Sequence, residues 1–202
     1  YLVSAISREV LEQNQRSIVD QLIALKFAHP GPPVCPTTLG ILTVGKTPTD
    51  WIPGDYVQFV RFDGGTLSDP VKNQKELRGP LPQILSDADD VIKNNIETTT
   101  DFTTGEVEIR NPDYPLVALQ QVFRNAILHR TYENTNAPVR LYWFHDRVEI
   151  QNPGGPFGQV TRENFGQPGS NDYRNPNLAA VMKDLGYVQR FGVGIALARS
   201  EM

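Results

Sequence analysis

Arg140 to Gly155, RLYWFHDRVEIQNPGG, is the stretch from which the rest of the chain is most readily read. Its aromatic and β-branched residues predict a tight hairpin, with strands Val139–Phe144 and Arg147–Gln151 joined at His145-Asp146. Asp146 and Arg147 then serve to shape the turn. The hairpin runs out into Asn152-Pro153-Gly154-Gly155, and such a glycine pair lets backbone approach a ligand closely, although a plain turn is its commoner use.

Immediately upstream, residues 116–130 carry a helical period. Leu116, Leu119, Phe123, Ala126 and Ile127 fall on one face, the core side. Gln121 and Asn125, four apart, share roughly the opposite face, which taken alone reads as a solvated helix face. Downstream comes a Gly/Pro/Asn-rich loop from Asn152 to Asn175, then a helix over Pro176–Leu185, with Arg174-Asn175-Pro176 as its approach and Asn175 as its expected cap, a ligand contact by these residues being the lesser alternative. The run RFGVGI then places Gly192 and Gly194 near the end.

The first half reads as helical over residues 5–27, with Ser17 as an N-cap in the middle. HPGPPVCP breaks it. TTLGILTVG and DYVQFVRFD read as β-like runs, GPLPQILSDADDVIKNNI as a helix opened by proline, and TTTDFTTGEVEIR as a hairpin turning at Thr104-Gly105. There are no repeats and no low-complexity tract. A domain boundary fits near residues 95–112, though no linker composition marks it.

Length and composition bound the answer. At 202 residues the chain makes one domain or two small ones, and it can bury a core without staples. Its lone Cys35 forbids an internal disulfide and fits a reducing, cytoplasmic setting. No apolar run approaches the length of a membrane span, and no signal-peptide pattern opens the chain. A net charge of -4 and the lack of a basic stripe disfavour DNA binding by these residues themselves. The start at Tyr1 and the helical-looking ARSEM end suggest a fragment of a longer protein.

Gly40 to Thr47, GILTVGKT, matches a Walker A pattern letter for letter. A phosphate-binding loop needs a glycine-rich turn after a strand and a helix beginning at the Gly-Lys-Thr. Here Ile41, Leu42, Thr43 and Val44 read as the interior of a buried strand. Pro48 and Pro53 stand where the helix should run, and proline inside a helix costs about 3 kcal/mol. The match is a coincidence, and Lys46 is a surface lysine at a strand end. His29, His129 and His145 are too scattered to suggest zinc, and no nucleophilic triad follows from spacing.

Taken in order, ALQQVFRNAILHRTYE, PVRLYWFHDRVEIQNPGG and RNPNLAAVMKDLGYVQRFGVGI resemble a RecG-related family of C-terminal domains in bacterial and archaeal transcriptional regulators. That domain is a divergent relative of the GHKL ATPases, such as gyrase B, MutL and the histidine kinases. TTLGILTVGKTP, PGDYVQFVRFDGG and KELRGPLPQIL are similar to the same family's region that follows a Schlafen AlbA-type domain, which would lie before Tyr1. The family's GILTVGKT segment is taken to be a strand followed by a loop.

The resemblance implies ATP and Mg²⁺ as cofactors. Asn125 falls at the metal-ligand position of the GHKL helix. Gln121 falls where a Glu would activate water, and a neutral amide cannot take that proton, a loss of roughly 10²–10⁴ in rate. Asn152 replaces the adenine-binding Asp as a neutral, weaker acceptor. Gly154 and Gly155, then Gly192 and Gly194, would bring backbone to the ligand, and Arg130 would either line the phosphates or pair structurally with an acidic neighbour. One motif is kept, one softened, one cut short, and the base is gone.

The expected fold is therefore α/β (α+β). Residues 1–110 would be a connecting region of helices plus a small sheet. Residues 111–202 would be a GHKL (Bergerat)-like domain of helices packed on a mixed or antiparallel sheet. The expected function is a degenerate nucleotide-binding domain used for regulation or homodimerisation, with DNA contacted through other domains and no membrane association. The alternatives are a slow Mg²⁺-dependent ATPase, for which Glu133 is the nearest acid in sequence, and a ligand-free interaction scaffold. A helicase is the reading least supported.

Overall fold

The computed structural model describes residues 5, 7–101, 109–167, 169, 172–188 and 198–199. Two short helices, α1 (Arg8–Gln13) and α2 (Ile18–Ala24), come first. Ser17 caps α2 as expected, its hydroxyl accepting from the Asp20 amide at 3.1 Å. Lys26, at φ 62°, turns the chain out of the helix, and Phe27 enters the core. Strands β1 (Ala28–His29) and β2 (Cys35–Pro36) pair antiparallel and lead to helix α3 (Thr38–Val44).

Helix α3 corrects the strand expected for TTLGILTVG. Its β-branched residues imitate a strand, but their helix penalty is only a few tenths of a kcal/mol each. Thr37 caps it, accepting from the Gly40 amide at 3.0 Å. Gly40 packs so closely on Phe27 that a Cβ there would stand 2.0 Å from the Phe27 carbonyl oxygen. The Gly-Lys-Thr of the Walker-like match thus follows the C-terminal end of a helix, where the macrodipole is negative and disfavours phosphate. The phosphate loop is excluded, on grounds different from those in the sequence, and Lys46 is exposed at a helix end rather than a strand end.

The remaining elements form a layered α/β body. Strands β3 (Val57–Phe62) and β4 (Val71–Leu77) are followed by α4 (Leu81–Asn95), the antiparallel pair β5 (Thr98–Asp101) and β6 (Ile109–Pro112), α5 (Leu116–His129), β7 (Val139–Trp143), β8 (Val148–Gln151) and α6 (Pro176–Asp184). The turn expected at Thr104-Gly105 lies outside the described residues, as do Gly192 and Gly194.

The main sheet runs in the order β4-β3-β7-β8. Both outer pairs are antiparallel, while β3 and β7 are parallel, Val57 to Val139 through Arg61 to Trp143. One face presents Val57, Phe59, Leu141 and Trp143 to Ile84, Leu85 and Ile92 of α4 and Leu119, Phe123 and Ile127 of α5 in a single core. Both helices have the apolar spacing this requires. On the opposite face Val60, Phe62 and Phe144 make a smaller cluster with Tyr142. Arg124 of α5 pairs with Asp89 of α4 at 2.7 Å and lies over the Tyr187 ring.

Strand β4, VKNQKEL, was not anticipated. It is a sheet edge with only Leu77 buried, so it carries no apolar alternation to read. Strands from both sides of residue 110 share this one sheet and core. The fold is mixed α/β, with N-terminal helices and helices packed on a mixed sheet, consistent with GHKL-like packing.

Candidate functional site

Helix α5 carries the residues expected to meet a ligand. Its core side is as predicted, with Leu119, Phe123, Ala126 and Ile127 buried. Gln121 and Asn125 are half-buried, and no hydrogen bond ties either amide to a described residue. They share a helix face with His129, one turn beyond Asn125. The end of α5 is closed from outside. Asn175 Nδ2 donates to the carbonyls of Leu128 at 2.7 Å and Arg130 at 2.8 Å. Its expected role as cap of α6 is corrected by this, since its side chain makes no capping bond there.

The Asn152–Gly155 loop docks on the same end of α5. The Thr131 amide donates to the Pro153 carbonyl at 2.8 Å. Gly154 sits at φ 100°, a conformation that favours glycine, and a Cβ there would come 3.1 Å from Thr131 Cβ. Gly155 is different: among the described residues a Cβ there would meet nothing within 4 Å, so its Cα faces open space. Asn152 is half-buried beside them.

Arg174 ties these pieces together. Its Nε donates to the His129 carbonyl at 3.2 Å and its Nη2 to the Gly155 carbonyl at 2.9 Å. The guanidinium lies 4.8 Å from the centroid of the Phe157 ring. The His129 ring stacks on Tyr173 at 5.7 Å, and burial, followed by the Arg174 charge, holds its pKa below the usual value. Thr131, Phe157 and the bridging role of Arg174 were missed in the sequence, because only the three-dimensional approach of α5, the glycine loop and the segment before α6 reveals them.

Arg130, expected among the phosphate contacts, is placed inside the protein. It is 1% exposed, and its Nη2 donates to the carbonyls of Gly54 at 2.7 Å and Ala137 at 2.9 Å. Its guanidinium lies 4.5 Å from the Tyr132 ring centroid, and Tyr132 donates to the Ile127 carbonyl at 3.0 Å. Asp55 is buried nearby, with Oδ2 lacking a hydrogen-bond partner. Burial raises its pKa to about 7, against the pull of the Arg130 charge. No motif marks Asp55 in the sequence.

The donor set bears on the implied cofactors. Among the described residues no three His, Cys, Asp or Glu side chains gather to hold a metal. Mg²⁺ near α5 would have one neutral protein oxygen, from Asn125, and would depend on oxygens brought by a nucleotide, a pattern Mg²⁺ accepts. A separate polar cleft of about 220 Å³, lined in part by Arg61, Lys72, Glu97, Trp143 and His145, contains none of the residues expected at the nucleotide.

Comparison with known proteins gives three results. Residues 136–202 match the family model described as "Putative ATP-dependent DNA helicase recG C-terminal". No curated protein matches the chain. Among solved structures the chain is similar to the crystal structure of the DIP2311 protein from Corynebacterium diphtheriae, with a TM-score of 0.68 and 21% identity over 93% of this chain. The chain spans 36% of that protein's length, and at this identity the likeness is one of fold. The last third of the chain is thus a distant match to a GHKL-type ATPase-like domain.

Proposed function

We propose that this chain carries a divergent GHKL-type domain that binds a nucleotide and turns it over slowly or not at all, its occupancy serving regulation or self-association. The carrying observation is the docking of the Asn152–Gly155 loop on the end of α5 through Thr131, with open space at the Gly155 Cα among the described residues. The distant family match over residues 136–202 supports the same reading.

In this reading Asn152 faces the base and Gly154 and Gly155 give backbone access. Asn125 is the protein's contact to a nucleotide-bound Mg²⁺, which would neutralise phosphate charge. Gln121 orients water without deprotonating it, which argues against efficient hydrolysis. DNA contact belongs to other parts of a longer protein, given the net charge of -4.

Thermal unfolding with millimolar Mg-ATP tests this on wild type and Asn125→Ala. Ligand at about 100 times its Kd stabilises by roughly 2.7 kcal/mol, a shift of a few degrees at this size. The expected result is a shift in wild type that is reduced in the variant. Identical melting of wild type with and without Mg-ATP would remove the nucleotide reading.

A further inference from the structure

We propose that Arg174 is the cation that binds the phosphates of an anionic ligand at the Asn152–Gly155 loop, an assignment that rests on the nucleotide reading and replaces Arg130 in that role. Arg130 is sealed in the core and spends its Nη2 on the carbonyls of Gly54 and Ala137. Arg174 is held half-exposed at the loop itself. Two of its nitrogens are fixed, Nε on the His129 carbonyl and Nη2 on the Gly155 carbonyl, and its plane is supported by Phe157. Its Nη1 makes no hydrogen bond to a described residue. A guanidinium anchored this way loses little further entropy when its remaining donors meet a phosphate.

The surroundings preserve that charge. Burial and the Arg174 charge both favour the neutral form of His129. Asp172, the acid next in the loop, has its oxygens engaged by backbone amides, Oδ1 by Tyr173 at 2.9 Å and Oδ2 by Gln159 at 3.2 Å. Beside Arg174 the Gly155 Cα faces space in which a Cβ would meet no described residue within 4 Å. The ligand class that fits is a nucleoside polyphosphate, with inorganic polyphosphate as the chemistry that would satisfy Arg174 alone.

Calorimetric binding of Mg-ATP, adenosine and sodium tripolyphosphate to wild type, Arg174→Gln and Arg174→Lys decides the matter. Arg174→Gln is expected to weaken Mg-ATP and tripolyphosphate by about 10- to 100-fold, the loss of a charged hydrogen bond, and to leave adenosine within about twofold. Equal weakening of adenosine and Mg-ATP would make Arg174 a structural strut and overturn the proposal, as would unchanged Mg-ATP binding. If Arg174→Gln fails to fold, Arg174→Lys carries the same comparison: a selective loss on the phosphate-bearing ligands supports the assignment and a uniform loss rejects it. Wild type that binds tripolyphosphate but not Mg-ATP would keep the Arg174 site and sink the nucleotide reading. Wild type that binds none of the three would sink both.

Discussion

Arg130 lies against Gly54, its Nη2 2.7 Å from the Gly54 carbonyl oxygen and 2.5 Å from where a Gly54 Cβ would sit. The residue just past α5 is thereby locked to the segment that feeds β3. Arg130→Met should leave the Ala137 carbonyl without its donor and the Gly54 carbonyl with only the Tyr56 amide at 2.9 Å, and cost about 1–3 kcal/mol. Gly54→Ala should also destabilise, by displacing the guanidinium. Urea unfolding measures both; a loss below about 1 kcal/mol for Arg130→Met would contradict the buried-strut role.

Asp55 gives a pH dependence of defined sign. Its folded pKa, about 7, lies above the unfolded 3.8, so between those values the folded protein keeps a proton that the unfolded chain has released. The stabilisation is complete below about pH 4 and is lost as pH rises through 7, at up to ~1.4 kcal/mol per pH unit. Asp55→Asn cannot ionise, so its stability relative to wild type should rise between pH 5 and pH 8 by about 1–3 kcal/mol. Paired denaturation curves at the two pH values check this, and a constant difference between the proteins would refute it.

The Walker-like stretch separates two kinds of residue. Gly40→Ala drives a methyl to 2.0 Å from the Phe27 carbonyl oxygen and should cost several kcal/mol, at the upper end of single-substitution effects. Lys46→Ala, on an exposed side chain, should change stability by no more than about 0.5 kcal/mol and leave Mg-ATP binding intact. Nucleotide binding abolished by Lys46→Ala in a folded protein would restore the phosphate loop rejected here.

Adjacent glycines should behave oppositely. Gly154→Ala is strained at φ 100° and crowds Thr131, so a loss of about 1–2 kcal/mol is expected. At Gly155 a Cβ meets no described residue within 4 Å, so Gly155→Val should leave the melting temperature nearly unchanged, while its bulk hinders ligand approach. Calorimetry beside thermal melts distinguishes them; Gly155→Val that binds Mg-ATP as tightly as wild type would take Gly155 out of the site.

What could be read in the sequence follows burial. The β7–β8 hairpin and the apolar face of α5 declare themselves because each buries a periodic set of large side chains. Helix α3 was misread because its defining features are a Thr37 cap and a glycine pressed on Phe27, which residue type alone reports as a β-branched run. β4 was overlooked because a solvated edge needs no apolar period. Arg130 and Arg174 look alike in sequence. Partners distant along the chain make one a core strut and leave the other at the loop.

The parallel seam between β3 and β7 constrains how the chain assembles. Each outer pair of the sheet can form early, since its strands are near neighbours in sequence. The seam instead joins Val57–Arg61 to Val139–Trp143, so the intervening chain must be gathered first and loop-closure entropy delays it. The sheet's centre is then the late step in folding. Two polypeptides cut at residue 110 should each be incompletely structured and regain native circular dichroism when mixed, because each supplies one strand of the same seam.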